Sequence, residues 1–154
     1  MMIDGIRGCA ASFVRASSWG MQSNYIKKAQ NDLLVMVQVE TPQGVDAIPE
    51  IAQVPGIDGI FLGPLDLSCS LGKLGQFNDA EFQALISRAE QAVVKESSGC
   101  FLAGFRYPGR EVLEMFQSGY SLVCGAVDLG LLREAAKADA KVGQDALDQF
   151  HERT

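Results

Sequence analysis

Glu40 and Asp66 are the residues whose type and placement point most sharply to chemistry. Each stands where an apolar run gives way to a loop. Leu33-Leu34-Val35-Met36-Val37-Gln38-Val39 runs into Glu40, and Ile57-Asp58-Gly59-Ile60-Phe61-Leu62-Gly63 runs into Pro64-Leu65-Asp66. If the two runs are adjacent parallel strands they lie about 4.8 Å apart, and both carboxylates can reach one divalent cation. Two carboxylates with no nearby Cys or His make an all-oxygen site, which suits Mg²⁺ or Mn²⁺ better than Zn²⁺. Gln38 precedes Glu40 by two positions, so both side chains point to one face and an amide donor stands beside the carboxylates. A plainer reading is open at this point: Glu40 caps the next helix and Asp66 begins a turn. Gly63 to Ser68 offers backbone N–H groups able to hold a carboxylate or phosphate, or is an ordinary strand-ending turn.

Other chemistries find less support. The single histidine, His151, stands three residues from the end of the sequence, a poor place for the rigid base of a Ser-His-Asp or Cys-His unit. Cys9, Cys69, Cys100 and Cys124 fall at irregular spacing without a C-x-x-C pair. That argues against zinc and a disulfide framework and for reduced, packing cysteines. The glycines form neither G-x-G-x-x-G nor a P-loop, so nucleotide binding has no support. With 13 basic against 19 acidic residues and a net charge of −6, the chain lacks the basic excess that nucleic-acid binding needs. Arg7, Arg15 and Arg106 are candidate anion binders, or solvated charges. Phe13, Trp19 and Tyr25 read as a packed surface, a subunit contact rather than a cofactor stack. No apolar run approaches the roughly 18–20 residues that span a bilayer, and the start lacks the layout of a secretion signal. A soluble, intracellular protein with no membrane or nucleic-acid partner is expected.

The elements that must position these residues follow from the pattern. The 154 residues, 47% hydrophobic and 21% charged, suit a single domain with a real core. Residues 1–31 read as an irregular lead-in with a short helix over Ser23 to Gln30. Residues 32–150 read as four β/α units. The run from Leu33 to Val39 suits a strand buried on both faces. Thr41 and Pro42 open a helix as N-cap and first residue, with Val45, Ile48, Ile51 and Ala52 on its apolar face. The second strand covers Ile57 to Gly63, and Leu65 to Gln76 reads as a glycine-containing loop. Asn78 or Asp79 caps a helix that places Phe82, Leu85, Ile86, Ala89 and Val93 together. A strand over Cys100 to Phe105, a helix over Pro108 to Gln117, a strand over Ser121 to Ala126 and a helix over Leu131 to Phe150 complete the pattern. Right-handed crossovers make the sheet parallel. Ligands in such folds bind at the carboxyl ends of strands, which are Gln38 and Glu40, Gly63 to Asp66, Phe105-Arg106, and Ala126-Val127-Asp128.

Several of these segments carry a family resemblance. Val37-Gln38-Val39-Glu40-Thr41, Gly56-Ile57-Asp58-Gly59-Ile60-Phe61-Leu62-Gly63-Pro64-Leu65-Asp66-Leu67-Ser68, Gly5-Ile6-Arg7-Gly8, Val14-Arg15-Ala16-Ser17 and Gly125-Ala126-Val127-Asp128-Leu129-Gly130-Leu131-Leu132 resemble the HpcH/HpaI aldolases. These are metal-dependent class II pyruvate aldolases. Gly8-Cys9-Ala10, Leu102-Ala103-Gly104-Phe105 and Gly119-Tyr120 are similar to plant and algal members. The resemblance implies a (β/α)₈ barrel of the TIM type, of which this chain supplies the C-terminal half. It implies Glu40 and Asp66 as ligands of Mg²⁺ or Mn²⁺, Gln38 beside bound pyruvate, and backbone amides of Leu65 and Asp66 toward the pyruvate carboxylate. The implied activity is cleavage of a 4-hydroxy-2-oxo acid to pyruvate and an aldehyde. The family's base histidine, its acidic partner and its ketone-binding arginine stand on earlier strands and have no counterpart here, so no catalytic base is assigned. The alternatives are a non-catalytic paralogue that binds a metal or a partner subunit, and an enzyme like citrate lyase β or malyl-CoA lyase. Four parallel strands leave two sheet edges open, so a homo-oligomer, or pairing with a chain that carries the first half, is expected. The expected compartment is the cytoplasm, or a plastid or mitochondrion if a targeting segment lies upstream.

Overall fold

Where the apolar runs meet parallel neighbours they become strands, and where they do not they stay irregular. The computed structural model describes residues 10–96 and 99–152; Arg7, the motif from Gly5 to Gly8 and Cys9 lie outside these residues. β1 (Met36–Val39), β2 (Gly59–Leu62), β3 (Phe101–Phe105) and β4 (Tyr120–Cys124) form one parallel sheet in the order β1-β2-β3-β4. Val37 registers with Ile60, and Ile60 with Leu102. A shift between Leu102 and Ala103 then aligns Ala103 with Leu122. The expected parallel β/α fold is the one observed.

The helices are α1 (Tyr25–Asp32), α2 (Pro42–Asp46), α3 (Ile48–Ile51), α4 (Pro64–Ser70), α5 (Ala80–Gln91), α6 (Val112–Gln117) and α7 (Asp128–His151). α5 continues into a π-helical turn over Ala92–Glu96. The core lies between one face of the sheet and the helices. Val39, Ile60, Leu62 and Leu102 are buried there with Val45, Ile48, Phe82, Leu85, Ile86, Ala89, Val93 and Met115. Val37 and Val123 pack against this cluster, half-buried. The opposite face carries Met36, Gln38, Phe61 and Phe105. Phe61 and Phe105 meet edge to face at 5.0 Å between centroids, yet Met36 and Gln38 are exposed.

Three expectations need correction. β1 is shorter than the apolar run and is not buried on both faces: Leu33, Leu34, Val35 and Met36 are exposed and only Val39 is buried. β1 is an edge strand, so half of its surroundings are missing among the described residues. The segment from Leu65 is not a loop but begins within α4. Gly63 is the N-cap and Pro64 the first residue, where proline's fixed φ and missing N–H suit a helix. Leu67 is fully buried, and Ser68 Oγ donates to Leu65 O at 2.7 Å while accepting from Gly75 N–H at 3.0 Å. Phe13 and Trp19 are exposed and Tyr25 half-buried, which leaves them open to the subunit contact expected of them. α7 begins at Asp128 rather than Leu131 and runs for 24 residues with none buried.

One buried ion pair ties α5 to the segment after β3. Glu90 is 9% exposed, and Arg110 Nη2 donates to its Oε1 at 3.0 Å and to Ser118 Oγ at 2.6 Å. Burial pushes the Glu90 carboxyl above its ordinary value, and Arg110 opposes that shift. Tyr107 and Tyr120 face the same pair, and burial raises both phenols, so both stay neutral near pH 7.

Two outcomes follow. Arg110→Met strands the carboxylate in the interior, which costs about 3 kcal/mol at pH 7.5. The charged form is the disfavoured one, so protonation relieves the loss and the penalty shrinks as pH falls toward 5.5. Thermal melts at the two pH values check this, and an equal penalty at both contradicts it. The open edges of β1 and β4 carry neither proline nor lysine, the usual protections against edge pairing. Light scattering on dilute purified protein is expected to show a species larger than a monomer; a cooperative monomer at micromolar concentration contradicts the half-barrel account.

Candidate functional site

The parallel register between β1 and β2 builds the site. Val39 lies beside Leu62, and Gly63 N–H donates to Val39 O at 3.1 Å. The residues that leave the two strands therefore start from adjacent points on the carboxyl rim. Gly63 has no side chain there, and other groups fill the space. A Cβ on Gly63 would lie 2.8 Å from Gln38 Nε2, 3.2 Å from Glu40 Cγ and 3.3 Å from Asp66 Oδ2. Gln38, Glu40 and Asp66 thus converge over one glycine. All three are exposed and open to a ligand.

The local structure decides between the readings left open for the two carboxylates. The N-cap of α2 is Thr41, whose Oγ1 accepts from Gly44 N–H at 3.0 Å. Glu40 is therefore free of the capping role. Asp66 stands in the first turn of α4, where a negative charge is favoured by the helix dipole. Leu65 is in the same turn and 53% exposed. The first turn of a helix leaves its N–H groups without intrahelical acceptors. Leu67 N–H is bonded to Gly63 O at 2.9 Å, and Leu65 and Asp66 precede it.

Gly63, Leu65 and Asp66 also border a cavity of about 520 Å³ at the ends of β2, β3 and β4. Phe77, Phe105 and Leu131 give it apolar walls, and Arg106 reaches its edge. Its volume falls within the range of small-molecule sites, ~300–1,000 Å³. Three of its features escape sequence reasoning. Gly63 acts through the side chain it lacks. Phe77 arrives from the connection before α5, and Leu131 from the first turns of α7. The Gly63-Pro64 pair was the available signal for the first; the other two depend on tertiary packing. His151, in the last turn of α7, lies about 35 Å along that helix from Asp128 at 1.5 Å per residue. Arg15 is exposed and borders no part of this cavity.

The donor set fits a hard divalent cation. Among the described residues no group of three or more His, Cys, Asp or Glu side chains could hold a metal, so the rim offers two carboxylates and the Gln38 amide. Mg²⁺ is commonly held by one or two carboxylates, with water and substrate oxygens completing its shell. Glu40 and Asp66 match that pattern.

A four-stranded parallel β/α sheet with two carboxylates and an amide at the ends of adjacent strands is the layout of half a (β/α) barrel, here with a cavity on its carboxyl rim. The chain belongs to the HpcH/HpaI aldolase/citrate lyase family, whose model matches residues 4–135. It is 35% identical over 136 residues to a hydroxypyruvate/pyruvate aldolase of Delftia acidovorans, covering 88% of this chain and 49% of that protein. It is 36% identical over 135 residues to a 4-hydroxy-2-oxo-heptane-1,7-dioate aldolase of Escherichia coli, covering 87% of this chain and 50% of that one. A family protein of solved structure from Burkholderia cenocepacia superposes with a TM-score of 0.75 at 32% identity, over 92% of this chain and 54% of that chain. The chain therefore spans about half the length of these relatives. No helix among the described residues is long and apolar enough to cross a membrane.

Gly63→Ala isolates the convergence. The Gly63 φ of −97° is open to any residue, so the variant is expected to melt within about 4 °C of the parent. The added methyl meets Gln38 Nε2, and the Gln38 side-chain amide resonances are expected to shift. Unmoved resonances contradict the convergence.

Proposed function

We propose that the chain carries the metal and 2-oxo-acid half of a divalent-metal-dependent aldolase, a carbon–carbon lyase that acts on 4-hydroxy-2-oxo acids to give pyruvate and an aldehyde. The observation that supports this reading best is the convergence of Gln38, Glu40 and Asp66 over Gly63, in a chain whose relatives include one named as a hydroxypyruvate/pyruvate aldolase and one named as a 4-hydroxy-2-oxo-heptane-1,7-dioate aldolase.

Glu40 and Asp66 would hold Mg²⁺ or Mn²⁺. When bound, the cation supplies Lewis-acid charge at the carboxylate and keto oxygens of the 2-oxo acid. Gln38 donates its amide N–H to a substrate oxygen on the same face. The backbone N–H groups of Leu65 and Asp66 orient the substrate carboxylate, in the manner of a helix first turn holding an anion. Phe77 and Phe105 keep water from one side of the site. In the lyase direction the 4-hydroxyl proton leaves to a base, C4 becomes the aldehyde carbonyl, the electron pair of the broken C3–C4 bond passes to the 2-oxo-acid fragment, and a proton returned to C3 gives pyruvate.

Among the described residues no histidine borders the rim cavity, and its two carboxylates are Asp66, given above to the cation, and Glu134, paired with Arg133 at 3.1 Å. This one observation favours a second reading, a paralogue that holds a metal or a partner subunit without catalysis. The two relatives differ in the acid they are named for at nearly equal identity, so the aldehyde partner has to be read from this chain's own residues.

The test is a Mn²⁺ titration followed by electron paramagnetic resonance, with a pyruvate-release assay alongside. Mn²⁺ is expected to bind, pyruvate to tighten it, and Glu40→Gln and Asp66→Asn each to weaken it by about tenfold or more, because half of the anionic donors are lost. Unchanged affinity in both variants contradicts the proposal. A missing general base costs about 10²–10⁴-fold, so the 154-residue chain alone is expected to release pyruvate only slowly. Rapid metal-dependent release would show that a residue of this chain transfers the proton.

A further inference from the structure

The rim cavity is bordered by one cation that no carboxylate among the described residues claims. Arg106 is the residue directly after β3, and its backbone N–H donates to Cys124 O at 2.8 Å, so the β3–β4 pairing fixes its root. The residues that follow are equally well held. The Tyr107 ring is buried against Phe77 and Phe82 at 5.2 and 5.5 Å between centroids, and Arg110 is tied to Glu90 and Ser118. The Arg106 side chain is exposed and reaches the same cavity as Asp66. Arg133, the other cation on that cavity, is engaged: its Nε donates to Glu134 at 3.1 Å. Arg106 forms no ion pair among the described residues.

Leu65, Phe77, Phe105 and Leu131 give apolar walls, and Glu134, the one further carboxylate on the cavity besides Asp66, is paired with Arg133. A ligand whose 2-oxo-acid end sits at Asp66 and whose chain runs along these walls has one place in this half of the site where a terminal anion is neutralised. We propose that Arg106 is a specificity-determining residue that binds a carboxylate at the end of the substrate distal to the 2-oxo acid, so that dicarboxylic substrates are preferred over monocarboxylic ones of equal length. The proposal rests on the placement of the 2-oxo acid given under the proposed function. A planar guanidinium suits the task because it meets a carboxylate through two parallel N–H donors.

The experiment is calorimetric titration of the full 154-residue chain with 2-oxohexanedioate and, separately, 2-oxohexanoate, in the presence of Mn²⁺. The diacid is expected to bind about tenfold tighter, the size of one charge-assisted contact at a partly exposed site, and the advantage is expected to shrink in high salt. Arg106→Gln should bring the ratio of the two affinities to about one. Arg106→Lys should keep part of the ratio, and Arg133→Gln should keep all of it. A ratio near one in the parent chain, or a ratio that survives Arg106→Gln, overturns the assignment. If neither acid binds, or if binding ignores both Mn²⁺ and Glu40→Gln, the underlying placement of the 2-oxo acid fails and the proposal falls with it. A monoacid that binds with metal dependence while the diacid shows no advantage sinks the Arg106 assignment alone.

Discussion

The hydrogen bond from Gly63 N–H to Val39 O closes the β1–β2 ladder, and the site depends on it. It sets the ends of two parallel strands side by side, so that Glu40 leaves one while Pro64 and α4 leave the other. Parallel pairing spaces the strands at about 4.8 Å, close enough for side chains from both to share a ligand and too close for a third side chain between them. Glycine at position 63 resolves that crowding. Any larger residue would press on Gln38, Glu40 and Asp66 together. The chemistry of the rim is thus a consequence of strand register and one missing Cβ, rather than of a loop that happens to carry acids.

The sheet is also a layer with one finished face. Its helix side has the closely packed core expected of a folded domain, from Val39 and Ile60 through Phe82 and Ile86. Its other side keeps Met36 and Gln38 exposed, and α7 adds a long helix with exposed Leu131, Leu132, Val142 and Phe150. Apolar surface of this extent is normally covered by more protein. The relatives are about twice the length of this chain, and a closed barrel needs about eight strands where four are described here. In a barrel site the working residues come from the ends of several different strands, and the described residues of this chain contribute four.

Much of this was legible in the sequence for definite reasons. The four apolar runs, the Thr41-Pro42 helix start and the Asp79 cap, whose Oδ1 accepts from Glu81 and Phe82 N–H, are local signals, and local rules decode them. Glu40 and Asp66 could be paired because a strand end is a position as well as a composition. What stayed hidden depends on contacts distant in sequence. The extent of β1 is set by whether a neighbour exists to pair with Leu33 to Val35. The start of α4 was masked by Gly72 and Gly75, which suggest a loop, although Gly63-Pro64 and the buried Leu67 mark a helix. The Glu90–Arg110 pair joins residues twenty positions apart and has no periodic signature. Arg106 stood out only as a charge at a strand end until the packing showed which other cations were already engaged.

The central claim is that Gln38, Glu40 and Asp66 surround one position at the rim and that a divalent cation occupies it. The most direct measurement is an anomalous-scattering map from crystals of the chain grown with Mn²⁺. The account predicts a single strong peak bonded to the Glu40 and Asp66 carboxylates beside Gly63. A peak bonded elsewhere, or the two carboxylates turned apart with no peak between them, would contradict it.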